Sequence, residues 1–287
     1  MNARYISAMM FWVLTSVSAY SGEIVKINEE LNVADPEYVE KMYQWALSEF
    51  EKQAYEESLK YIRHVIKADM ANYKLRYLAA HDHWKLGHYE FATTHFQAAI
   101  SAKPDNPNAY MDLATMKIQE RNYTVAEWIL NNAMNVLQKS NKPLPSRLYN
   151  IYSRIQLMKG LPEDALKYAQ LAKAAFEKGG VGIKDKLETM TLEARSQLLL
   201  ENFEKAELAT QWAIAMRKDN VYAHNLLGYI YSQWRQKIIA TDAKRAEELK
   251  KLAAENFQKA KKIPHVVDEF KKIIDTNLAN LDLVNLH

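Results

Sequence analysis

Four histidines and an aspartate crowd one stretch of this chain: His81, Asp82, His83, His88 and His95. Imidazole nitrogens beside a carboxylate are the groups that hold transition metals. The spacing argues against a shared ion. Residues two apart on a helix point about 200° away from each other, so His81 and His83 diverge while that helix holds. His88 follows Gly87 in a turn, and His95 belongs to the next helix. No metal site and no cofactor is expected. The carboxylate pairs Glu56-Glu57 and Glu247-Glu248 sit beside lysines on helical patterns and read as ion-paired solvent faces. A Gly-rich phosphate loop, a Ser nucleophile between glycines and a His-Glu-x-x-His helix are all missing from the sequence. With no cysteine, disulfides, thiolate metal sites and thiol nucleophiles go together. No residue is assigned a catalytic role, and the chain reads as a non-enzyme.

The elements that position these residues are helical. Gly and Pro number seven each in 287 residues, roughly a third to a half of average usage, which leaves little room for the tight turns of a sheet fold. Ala, Leu, Lys, Glu and Gln, all helix formers, are plentiful instead. Lys and Arg total 38 against 35 Asp and Glu, and the two signs are interspersed. That balance carries no nucleic-acid footprint, and none is expected as a partner. At the N-terminus, Arg4 precedes the apolar run Ile6–Leu14, and Val17-Ser18-Ala19 fits the small-residue rule for signal cleavage before Tyr20. The run is too short to span a bilayer core, which needs about 20 residues. The expectation is an export signal over 1–19, a periplasmic or secreted chain, and no stable membrane insertion after cleavage. An uncleaved anchor is the alternative.

A repeat organises the rest. Segments beginning at Gln53, Gly87 and Arg121 align without gaps, with Tyr55, Tyr89 and Tyr123 spaced 34 apart. Three columns of small residues extend the pattern to six units. The first is Ala46, Ala80, Ala114, Ser153, Ala194 and Gly228; the second is Ser58, Ala92, Ala126, Ala165, Ala206 and Ala253; the third is Val65, Ala99, Ala133, Ala172, Ala213 and Ala260. Small side chains let helix backbones approach where they cross, and larger ones would overpack at about 1–3 kcal/mol each. In the sixth unit an insertion around Arg235–Lys250 is expected to lengthen the second helix or the turn before it. Lys139–Ser146 and Glu177–Lys186 read as loops. Val267, Phe270, Ile274, Leu278 and Leu281 recur at helical spacing and suit a terminal cap.

The pattern resembles the tetratricopeptide repeat, most fully in unit two, where Gly87, Tyr89, Ala92, Phe96, Ala99 and Pro104 occupy signature places, and in Leu227-Gly228-Tyr229 of unit six. His224 and Tyr110 stand where the signature has Trp. The resemblance implies an all-α fold, an α-solenoid forming a right-handed superhelix of helix–turn–helix repeats. Its expected divisions are an extension over 20–36, repeats at about 37–71, 72–105, 106–140, 146–178, 186–219 and 220–262, and a capping helix and tail over 263–287.

In that family the first helix of each repeat lines a concave groove that holds partner segments. Taken at the i, i+4, i+7 rhythm, the expected wall comprises Tyr43, Leu47 and Phe50, then Tyr77, His81 and Trp84, then Met111, Thr115 and Ile118. It continues through Asn150, Arg154 and Leu157, Thr191, Arg195 and Leu198, and Asn225, Tyr229 and Ser232. Aromatics and Arg are favoured binding anchors, so the expected partner is a protein or peptide segment with apolar anchors near Trp84 and an acidic group near Arg154 and Arg195. Tyr43, Phe50, Tyr77 and Trp84 could instead pack between repeats or under Ile24–Val33. Clamping of a C-terminal carboxylate is not expected, because Tyr43, Leu47 and Asp112 replace the basic and amide groups it needs. The implied role is a scaffold or adaptor of the cell envelope, within a pilus, flagellar, secretion or outer-membrane assembly. The alternative is a regulatory or metal-carrying partner of an envelope enzyme.

Overall fold

The structure is a computed structural model that describes residues 35–177 and 182–282. The expected export signal lies outside the described residues. Within them the chain is all helix and turn, with no strand. The helices are α1 (Pro36–Glu51), α2 (Tyr55–Val65), α3 (Tyr73–Lys85), α4 (Tyr89–Ala102), α5 (Pro107–Gln119), α6 (Tyr123–Lys139), α7 (Ser146–Met158), α8 (Pro162–Glu177), α9 (Ile183–Leu199), α10 (Phe203–Met216), α11 (Val221–Ile238), α12 (Ala243–Lys262) and α13 (Asp268–Ala279), with a closing 3-10 turn at Asn280–Asp282. The fold class is the tetratricopeptide-like α-solenoid.

Local chemistry sets where these helices start and stop. Pro36, Pro107 and Pro162 open their helices, at a position where the missing N–H costs nothing. Asn72, Asn122, Asn220 and Asp242 cap theirs by accepting from Leu75, Val125, Ala223 and Arg245 backbone N–H groups, which satisfies donors that the helix leaves orphaned. Five of the turns joining first to second helices pass through a left-handed residue at equivalent places: Gln53, Gly87, Arg121, Gly160 and Glu201. Only Gly takes that conformation without steric cost.

All eighteen small-column residues are buried, so the seams read from the sequence are where the helices meet. The described chain divides into two compact units between Ala109 and Tyr110. In the first, Met42, Ala46, Leu59, Ile62, Leu75 and Ala79 pack into a core between α1, α2 and α3. In the second, Leu227, Leu249, Phe257, Ile274 and Leu281 make the cluster beneath α13, and Phe203, Ala206 and Ile230 join α10 to α11.

The insertion in the sixth repeat departs from expectation. It lengthens both helices, α11 to 18 residues and α12 to 20, and leaves a short turn between them. Both partners must grow for the antiparallel pair to stay in register. At Gly228 a Cβ would come within 2.7 Å of the Phe257 ring, so this glycine lets that buried ring lie against α11. In the cap, Val266 takes the buried place and Val267 is exposed; Val267 is the residue before α13 begins, outside the helical phase that aims Ile274 inward.

Candidate functional site

The first helices α1, α3, α5, α7, α9 and α11 share a phase that decides which side chains a partner can reach. Taking the buried small column as zero, the residue after it lies about 100° away, and those at −6 and +5 lie about 120° and 140° away. Those at −3 and +4 lie only about 60° and 40° away. Burial follows these angles. The +1 column (Leu47, His81, Thr115, Arg154, Arg195, Tyr229) contains no buried residue. The −3 and +4 columns are mixed: Met111 is 2% exposed and Asn150 0%, while Ile118 and Leu157 are also buried.

Met111 and Asn150 are therefore corrected as groove residues. Met111 is core. Asn150 donates from Nδ2 to the Asp185 carbonyl at 3.1 Å and accepts from Thr189 Oγ1 at 2.9 Å, tying α7 to α9. Asn225 is half-buried and accepts from Asn277 of α13 at 3.1 Å.

In the first unit the expected aromatic anchors face one another. His81 stands 4.7 Å from the Tyr77 ring, 5.7 Å from Trp84 and 6.2 Å from Phe50, and the buried Phe96 ring lies beneath at 5.3 Å. Tyr43 lies under the Lys74 ammonium, 5.2 Å away. The rings other than Phe96 are half-buried. The column at −6 carries the ion pair Glu40–Lys74, 2.9 Å.

The histidines separate as their spacing requires. His83 turns away from His81 and stacks on Phe91 and His95, with its Nδ1 3.5 Å from Nδ1 of His88. Among the described residues, no group of three or more His, Cys, Asp or Glu could hold a metal ion. Burial pushes the His95 imidazole down to about 4 and the Asp82 carboxyl up to about 7. Asp82 accepts one hydrogen bond, from Ser58 Oγ at 2.8 Å, and its other oxygen has no partner.

The second unit presents different chemistry in the same phase. Arg154 pairs with Glu188, and Arg147 with the buried Asp112. Burial, and then the charges of Arg147 and Arg195, press the Arg154 pKa below the ordinary guanidinium value. Arg195 is exposed. Beside this basic row run exposed apolar residues in the +5 and +1 columns, Met158 (48%), Leu199 (58%) and Tyr229 (42%). Met158, Leu199, Arg147, Glu188 and Gln233 lie outside the wall expected from the sequence because that rhythm covers about 40–100° from the seam and stops short of about 120–140°. The signal was available: these positions lie six before or five after a small residue already identified.

Comparison with known proteins agrees with the fold. Residues 77–134 match the tetratricopeptide repeat family model. No curated protein matches the sequence. Among solved structures, the chain is similar to one in the APC/C hetero-tetramer Cut9-Hcn1, with 15% identity, TM-score 0.68, and coverage of 92% of this chain and 46% of that one. It is similar to a tetratricopeptide repeat protein from Parabacteroides merdae, with 16% identity, TM-score 0.60, and 96% of each chain covered. It is also similar to PilW, described as a widely conserved type IV pilus biogenesis factor, with 16% identity, TM-score 0.61, and coverage of 82% of this chain and 98% of PilW. The chain spans less than half the length of the first of these. Residues 77–134 thus carry the match to the repeat family, and the likeness to solved structures extends the tetratricopeptide-like fold to most of the chain.

Proposed function

We propose that the chain is a non-enzymatic scaffold that holds segments of other proteins on the exposed columns of its first helices. The observation that carries this reading lies in the second unit. Consecutive repeats place Arg154, Arg195 and Tyr229 at one phase and Met158 and Leu199 beside them, so a guanidinium row runs along an apolar strip. Large apolar groups left exposed in a row beside directional donors are what protein interfaces use. The aromatic cluster of the first unit is a second candidate surface, with Trp84 and His81 as its accessible edge.

The finer reading is work in the cell envelope, in assembly of a machine such as a pilus. The N-terminal pattern of Arg4, Ile6–Leu14 and Val17-Ser18-Ala19 supports export, and the likeness to a pilus biogenesis factor in fold is compatible with it. Among the described residues no helix is long and apolar enough to cross a membrane.

Affinity purification of the full chain and of the Arg195→Glu and Tyr229→Ala variants tests the binding claim. A partner that co-purifies with the parent and is lost from both variants is expected; equal recovery on all three overturns the assignment to this row. Fusing residues 1–30 to leaderless alkaline phosphatase in a Gram-negative host tests export. Active phosphatase is expected, and inactive cytoplasmic fusion would overturn the envelope reading.

A further inference from the structure

The exposed strip of the second unit runs into a cavity. Tyr229, Ser232, Gln233 and Gln236 of α11 face Asn277 and Asn280 across a space of about 410 Å³, floored by Phe257. No acid or base lines it. The walls are fixed from behind: the buried Arg235 guanidinium donates to the Leu281 carbonyl at 2.9 Å and pins the closing 3-10 turn that carries Asn280. Asn277 is held by Asn225, 3.1 Å away. Gly228 lets the Phe257 ring form the floor.

Four of these side chains, Ser232, Gln233, Gln236 and Asn280, are hydrogen-bonded to no other described residue. Each amide offers two N–H donors and a carbonyl with two lone pairs. A cavity with paired, uncharged donors and acceptors and no net charge suits a ligand whose own donors and acceptors alternate without charge. The main chain of an extended peptide is such a ligand.

The geometry points to this cavity as a subsite for peptide main chain, occupied by an extended segment whose acidic side chain lies on Arg195. The inference rests on the scaffold reading and narrows it. Arg195 and Tyr229 hold the same position on successive first helices, and α9 through Leu198 and α11 through Leu226 pack on one cluster of Phe203, Ala206 and Ile230. Packed helices are spaced roughly 10 Å apart, and an extended chain advances about 3.3 Å per residue. The acid therefore sits about three residues from the peptide bonds inside the cavity. Arg154 is already neutralised by Glu188, which leaves Arg195 as the carboxylate's contact. A guanidinium one repeat away from the cavity favours an acidic peptide over a neutral glycan.

Random decapeptides displayed on phage are selected on the full chain, and the strongest are remade and measured by calorimetry. Each is expected to carry Asp or Glu. Methylating the amide nitrogens one at a time should cost at least tenfold in affinity at bonds about three residues from that acid, and little elsewhere. The Gln233→Leu/Gln236→Leu variant should lose tenfold or more with its melting temperature unchanged, and the Gln236→Ala variant serves if the double variant is unstable. Affinity insensitive to methylation at every bond, or unchanged in these variants, overturns the cavity assignment while leaving the scaffold reading standing. An empty selection also overturns it, and so does capture of N-acetylglucosamine oligomers in place of peptides.

Discussion

The two units share a repeat and a phase, yet their reachable columns carry opposite chemistry. In the first, the large rings Tyr77, His81, Trp84 and Phe96 turn on one another, and the unit also holds the buried Asp82 and the half-buried His95. In the second, charges are paired from repeat to repeat, and Arg195, Met158, Leu199 and Tyr229 are exposed. The repeat fixes which positions are reachable. What each unit does with them is a matter of a few side chains: the first packs its rings on one another, and the second leaves Arg195, Leu199 and Tyr229 exposed.

The largest effects should come from the ring each unit buries at the same place, four residues beyond its second-column alanine. Phe96→Ala and Phe257→Ala should each cost about 3–5 kcal/mol, read by denaturant unfolding. Hydrogen exchange should then show the lost protection confined to the mutated unit; equal loss in both would break the comparison.

Next comes Asn150→Ala, which removes both hydrogen bonds that tie α7 to α9 and leaves the Thr189 hydroxyl only its bond to the Asp185 carbonyl; two lost buried hydrogen bonds should cost about 1–3 kcal/mol. A loss of partner binding with unchanged stability would restore Asn150 as a binding residue.

Smaller effects distinguish the first unit by pH. Asp82 has a folded pKa raised to about 7, so its contribution to stability is full below its unfolded value near 3.8 and is lost as pH rises through 7. His95 has a folded pKa lowered to about 4, so its contribution is full above about 6.5 and is lost as pH falls through 4. Between pH 4 and 6.5 the two slopes oppose. Asp82→Asn should expose the rising slope of His95, and His95→Gln the falling slope of Asp82, in melting temperatures measured across that range. Identical profiles for both variants would contradict the burial of either group. The smallest effect is expected at Arg195→Ala, within about 0.5 kcal/mol of the parent, because the side chain is exposed.

Much of this was legible in the sequence, for a reason that also marks where legibility ended. Alanine at a helix crossing is selected by backbone approach, a local demand, so all three small columns could be read directly and every member is buried. Which neighbouring phase faces outward depends on how far adjacent repeats lean over the seam. Met111 and Asn150 stand about 60° from it and are covered; Arg154 and Arg195 stand about 100° from it and are not. The His81–His83 divergence followed from helical geometry alone. The meeting of His83 with His88 and His95 required knowing that the turn at Gly87 folds α4 back along α3, and the amide cavity required the position of α13, which no period predicts.

The central claim is that partners are held by the exposed columns of the second unit's first helices. A benzophenone-bearing residue placed in turn at Leu199 and Tyr229, and at Leu208 and Trp212 of the second helix α10, tests it most directly by photocrosslinking in cells. The account predicts a discrete adduct from Leu199 and Tyr229 that disappears when Arg195→Glu is added. Adducts from Leu208 and Trp212, with none from Leu199 and Tyr229, would contradict it.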